Sequence, residues 1–155
     1  EQALCDFDAM RIREGSRLCE DVLSKLASIE ALVTKVEETS PQTVAAYRER
    51  LTQKMTEVLG KAGIDENRII AEAAIFADKV ATDEETVRLR SHMEQLRGML
   101  ETGSPIGRKI DFLIQEFNRE ANTIGSKCQN KDISYVVVEL KSEIEKIREQ
   151  IQNIE

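Results

Sequence analysis

The chain has 155 residues, a third of them charged, only 4% aromatic, with seven glycines, two prolines and a formal net charge of −7. Scarce turn formers and scarce aromatics indicate an all-helical protein. The acidic balance argues against a generally basic nucleic-acid binder, although a local basic cleft still acts on phosphate within about 8 Å. Cys5, Cys19 and Cys128 are odd in number, form no CxxC and fit a reducing cytoplasm. No signal peptide is visible, and no apolar run approaches the roughly 20 residues of a membrane span. The first residue is Glu1 rather than methionine, so the chain reads as a piece of something longer.

Six helices are expected. The first runs from about Ala3 to Glu38, and Val22, Leu26, Ile29, Val33 and Val36 form a heptad seam that needs a partner helix. Ser40-Pro41 reads as a break and restart, with serine as cap and proline in the first turn. The second helix, Gln42 to Leu59, is expected to bury Val44, Tyr47, Leu51, Met55 and Val58, and Gly60 and Gly63 end it. Asp65 caps a third helix from Glu66 to Val80. Thr82-Asp83-Glu84-Glu85 has the pattern of a capping box and opens a fourth, which reaches Glu101 with Gly103 after it. Ser104-Pro105-Ile106-Gly107 leads into the fifth.

The fifth helix, Gly107 to Lys127, carries the functional lead. Ile110, Leu113, Ile114, Phe117, Ala121, Ile124 and Cys128 form its apolar stripe at 3.6 periodicity. Its other faces hold Gln115, Asn118 and Asn122 among charges. Asparagine is a poor helix former, because its side chain competes for backbone hydrogen bonds. Propensity would not choose these residues, so something outside the helix uses them. After a turn at Gln129 to Asp132, the last helix repeats Val137, Leu140, Ile144, Ile147, Ile151 and Ile154. The resulting fold is all-α: a long antiparallel helical hairpin of the first and last helices, with a compact four-helix unit between them. Tyr47 and Tyr135 read as packing residues.

His92, the only histidine, lies beside the apolar stripe of the fourth helix. It is either a partly buried structural residue or a metal ligand and proton carrier. Glu116 and Glu120 share one face of the fifth helix, where two carboxylates can converge. They serve either surface ion pairs or, with His92, a site for Mn²⁺ or Mg²⁺. Arg108, Lys109, Arg119 and Lys127, with Arg68, Lys79 and Arg88 on nearby helices, are candidates for a phosphate-binding surface. Asn118 and Asn122 suit sugar hydroxyls or unpaired base edges, as in single-stranded RNA recognition, or orient the metal ligands. The plain alternative is a solvated, salt-bridged face. No Walker loop, GxSxG or HExxH occurs.

Asp65-Glu66-x-Arg68, Ala77-Asp78-Lys79, Asp83-Glu84-Glu85-x-x-x-Arg88-Leu89-x-Ser91-His92, the run from Gly107 to Thr123, and the closing Arg148-Glu149-Gln150-x-Gln152-Asn153-Ile154-Glu155 together resemble the YicC/YloC family of bacterial proteins. The match covers Asp65 to the end and extends more loosely to Arg11-x-x-Glu14-Gly15. The resemblance implies a cytoplasmic, metal-dependent endoribonuclease that acts on RNA and assembles as a homo-oligomer, with a hexamer as the expected size. It also implies residues 1–64 as a coiled-coil-like helix plus a second helix, 65–155 as the family's C-terminal helical domain, and a further N-terminal domain upstream.

The expected function is hydrolysis of RNA phosphodiester bonds. His92, Glu116 and Glu120 serve as catalytic metal ligands, and Arg68, Lys79, Arg88, Arg108, Lys109, Asn118, Arg119, Asn122 and Lys127 bind RNA. The alternative is a helical RNA-binding or nuclease-adaptor module that cuts nothing, favoured by the acidic charge and the long seams.

Overall fold

In the computed structural model, residues 2–60, 63, 65–102 and 107–152 are described, with side chains placed for 6–60, 63, 65–101 and 109–152. The described residues form five helices: α1 (Gln2–Leu59), α2 (Glu66–Val80), α3 (Asp83–Thr102), α4 (Gly107–Lys127) and α5 (Lys131–Gln152). Gly103, Ser104, Pro105, Ile106 and Ile154 lie outside the described residues.

The expected break at Ser40-Pro41 does not occur, because α1 continues through Pro41 for 58 residues, about 87 Å. Proline removes one i→i−4 bond and its ring crowds the preceding turn. Packing on both sides overrides that cost. Val36, one turn before, is fully buried, and Thr43, just after, is buried and accepts from the Asn130 amide at 2.9 Å. Pro41 itself faces solvent. Side chains also cap nearby carbonyls: Thr39 Oγ1 donates to Lys35 O at 2.7 Å and Gln42 Nε2 to Glu38 O at 3.3 Å.

Val22, Leu26, Ile29, Val33 and Val36 are fully buried, and Leu140, Ile144, Ile147 and Ile151 meet them from α5, so the expected hairpin of first and last helices is present. It is antiparallel, with Asn130 at the start of α5 reaching Thr43. The Asn130 side chain also caps α5 by accepting from the backbone N–H of Asp132 at 2.8 Å. α3 and α4 close this hairpin into a four-helix bundle, each helix antiparallel to its neighbours. Arg90 and Arg97 tie α3 to Glu37 and Glu30 of α1, and Phe117 sits at the centre with no exposure. The three-four spacing of each apolar stripe suits this aligned packing.

α2 lies outside the bundle, against the upper part of α1, where Tyr47 stacks on Phe76 with centroids 3.8 Å apart. Its cap is as expected, since Asp65 accepts from Asn67 N at 3.0 Å. The segment after Pro41 is less buried than its pattern suggests. Val44, Tyr47, Leu51 and Met55 are half-buried and Val58 is 81% exposed, because α2 alone covers this stretch. Tyr135 is also exposed rather than packed, with the Lys131 ammonium 5.8 Å from its ring centre. Among the described residues no helix is long and apolar enough to cross a membrane.

Candidate functional site

α4 packs its apolar stripe into the bundle, which leaves one flank turned to α3 and the other to α5. At about 100° per residue, Glu116, Glu120 and Lys127 fall on the first flank and Asp111, Gln115, Asn118 and Asn122 on the second.

On the α3 flank, His92, Glu116 and Glu120 each bring a donor atom within 4.8 Å of the others. That span is close to the about 4.2 Å between opposite ligands when metal–ligand bonds are about 2.1 Å. The two nitrogens of His92 and Oε2 of Glu120 are buried without a hydrogen-bond partner among the described residues. A buried polar atom left alone forfeits its solvation, so native structures rarely leave three together unless something binds them. Phe117 lines the back of the site, its ring centre 6.4 Å from that of His92.

A network of charges fixes the carboxylates. Arg88 Nε donates to Glu120 Oε1 at 2.9 Å, and Arg88 Nη2 donates to Glu85 Oε1 at 3.1 Å. Lys127 Nζ donates to both oxygens of Glu85, at 2.9 and 3.1 Å. Glu85, expected to fold back on its own helix start, instead joins α3 to α4. Burial raises its pKa, but the Lys127 hydrogen bonds, its backbone contact and the Lys127 and Arg88 charges outweigh that and leave it below the ordinary carboxylate value. The Glu120 hydrogen bond is the main reason the Arg88 pKa rises. Glu116 is held more loosely, with Arg119 Nη1 at 3.4 Å. Carboxylates of Glu84, Glu85, Glu116 and Glu120 outnumber the cations Arg88, Arg119 and Lys127, which suits a bound cation.

On the α5 flank lies an open cleft of about 500 Å³, lined by Asp111, Ile114, Gln115, Asn118, Arg119, Asn122, Arg148 and Gln152. The amides noted in the sequence line its α4 wall. Neither contacts the carboxylate cluster: Asn118 Nδ2 donates to Ile114 O at 3.2 Å, and Asn122 Oδ1 accepts from Lys141 Nζ at 2.9 Å. Arg148 and Gln152 belong to this cleft but were read from the sequence only as part of a closing motif on a coiled-coil helix. Their spacing of four, off the buried seam, was the available signal.

The remaining basic candidates are dispersed. Arg88 and Lys127 are engaged by carboxylates, and Lys109 is exposed in the first turn of α4. Arg68 and Lys79 sit on α2, where Arg68 lines a separate groove with Leu51, Lys54, Met55, Val58, Leu59 and Glu72. The Arg108 side chain lies outside the described residues.

Comparison with known proteins identifies the family. Residues 36–155 match the family model described as "Endoribonuclease YicC-like, C-terminal". The chain is 49% identical over its full length to a "Probable endoribonuclease YicC" of Clostridioides difficile (strain 630) and 40% identical to one of Haemophilus influenzae. It spans 53% of each, about half the length of these curated relatives. With most of its residues inside the matched region, the chain belongs to the YicC-like endoribonuclease family, of which it carries the C-terminal part.

Proposed function

We propose that this chain forms the metal-dependent cleavage centre of an endoribonuclease that hydrolyses RNA phosphodiester bonds. The observation that carries the reading is the convergence of His92, Glu116 and Glu120, with the His92 ring nitrogens and Glu120 Oε2 buried and without a hydrogen-bond partner among the described residues. The name shared by the relatives supplies the substrate class. One imidazole beside two carboxylates suits Mn²⁺ better than Mg²⁺, because imidazole favours transition metals and Mg²⁺ favours all-oxygen shells. Such an ion would supply charge neutralisation at the phosphate and acidify a bound water.

The chain's own residues do the positioning. Glu120 is clamped by Arg88 through one oxygen, and its other oxygen is buried and left for a ligand. Arg119 reaches from Glu116 toward the open face and can pair with a phosphate, as can Arg108 and Lys109 at the start of α4. Arg68, Lys79, Arg88 and Lys127 contribute, in this reading, to the field that RNA meets, and Asn118 and Asn122 to contacts beyond the phosphate. We further take the working protein to be a cytoplasmic homo-oligomer that includes sequence outside this chain.

The test uses the full-length protein, purified free of other nucleases, with end-labelled RNA and Mn²⁺, Mg²⁺ or EDTA. Glu116→Gln and His92→Ala should each abolish metal-dependent cleavage while the helical circular dichroism persists. Cleavage at the parent rate in either variant removes that residue from the mechanism. RNA binding without cutting under all conditions would favour the adaptor reading, which the exposed stretch of α1 from Asp6 to Arg17 also suits.

A further inference from the structure

The cleft between α4 and α5 is not explained by the metal centre, from which it is separated by the width of α4. Its size falls within the range of small-ligand sites, about 300–1,000 Å³. Its walls offer hydrogen-bonding capacity that the fold leaves partly unused. Asn118 employs only its amide nitrogen and Asn122 only its carbonyl oxygen, so one still offers an acceptor and the other donors. Among the described residues Arg148 is held only by a 3.3 Å contact to Glu145 at an exposed position, and Arg119 by the 3.4 Å contact to Glu116. Both can turn to a ligand at little cost. Asparagines at two helix positions that the core does not require, each less favourable there than alanine, fit a role in recognition rather than folding.

Asp111 makes the site specific. It lines the cleft and has no hydrogen bond or ion pair among the described residues. A carboxylate facing RNA is repelled by phosphate and accepts instead from the ribose 2′-hydroxyl or from N–H donors on a base, and only the base donors distinguish one nucleotide from another. Guanine alone presents two adjacent ring-edge donors, N1–H and the N2 amino group, that a carboxylate accepts together. Arg119 lines this cleft and also contacts the metal-site carboxylate Glu116, so the two flanks meet at one side chain.

We propose that this cleft binds one unpaired guanine nucleotide of the RNA, with Asp111 accepting from the base edge and the α4 amides and Arg148 holding its base and sugar. The proposal rests on the RNA reading above. It places the recognised base on the α5 side of α4 and the phosphate offered to His92, Glu116 and Glu120 on the α3 side.

The experiment is fluorescence anisotropy of the full-length protein in EDTA, with short uridine-rich oligoribonucleotides carrying one guanosine, inosine or adenosine. The guanosine oligomer should bind about tenfold tighter than the inosine one, which lacks the N2 amino group. Asp111→Asn should erase that preference, with Mn²⁺ affinity measured in parallel on the same variant. Equal binding of all three oligomers by the parent, or a preference that survives Asp111→Asn, overturns the guanine site while leaving metal-dependent cleavage standing. Failure to bind any of them, together with failure to cut, overturns the RNA reading itself. A guanosine preference without cleavage would support the cleft and count against the metal centre.

Discussion

The Arg88 guanidinium holds one oxygen of Glu120 at 2.9 Å, and the other oxygen is buried with no hydrogen-bond partner among the described residues. Arg88 and Glu120 are 32 positions apart, on α3 and α4, so the contact sets the orientation of a carboxylate across a helix–helix interface. A carboxylate held this way keeps one oxygen available at the site it shares with His92 and Glu116.

Removing that clamp should weaken metal binding before it weakens the fold. Arg88→Ala leaves Glu120 free to rotate and Glu85 with Lys127 alone. By analogy with other residues that orient metal ligands, Mn²⁺ affinity should fall about 10- to 100-fold. Isothermal titration with Mn²⁺ measures this directly. Unchanged affinity would mean that Glu120 is not a ligand or needs no orientation.

Phe117 has no exposed surface and lies at the meeting point of the core stripes and the His92 ring. Phe117→Ala should cost about 3–5 kcal/mol in urea unfolding. Glu116→Gln, one residue away on the metal flank, should cost far less. That contrast separates folding from chemistry on the same helix.

Acid should loosen the join between α1 and α3. The Arg97 hydrogen bond and charge depress the Glu30 pKa, and the Arg90 hydrogen bond depresses that of Glu37. Both groups therefore bind protons less readily folded than unfolded. Their contribution is complete above the ordinary value of 4.5 and is lost as pH falls through the lowered values. Urea midpoints from pH 7 down to pH 3 should fall, and Glu37→Gln should show a smaller fall than the parent.

Two helical glycines should respond in opposite ways to alanine. At Gly98 a Cβ meets nothing within 4 Å, so Gly98→Ala should stabilise α3 by about 0.5–1 kcal/mol. At Gly125 the Cβ would stand 3.1 Å from Val137 Cγ1. Val137 is buried and stiff at χ1, so overpacking of about 1–3 kcal/mol should outweigh the propensity gain. Thermal melts of both variants check the sign.

Much of this was legible in the sequence because helical periodicity is a strong local signal. The bounds of α2 and α4 and the seam of α5 follow from caps and stripes. Pro41 misled because its penalty is local, whereas the packing of Val36 and Thr43 that overrides it comes from α5. The chemistry of His92, Glu116 and Glu120 was legible as donor types, but the 4.8 Å convergence depends on how α3 registers against α4. For the same reason sequence could not show that Arg88 and Lys127 face carboxylates of the neighbouring helix. Arg148 was hidden by the regularity of the seam it flanks.

The length of α1 has a kinetic consequence. From Asp6 to Arg17 every side chain is exposed, and the helix meets its first fully buried residue only at Val22. A helical segment of about 12 residues without tertiary contact is marginal in water. Amide hydrogens along this single helix should therefore exchange at graded rates, fast over its opening turns and approaching the global unfolding limit from Val22 to Val36. Deuterium uptake would draw that gradient residue by residue, and the point where protection begins would mark the edge of the cooperative unit.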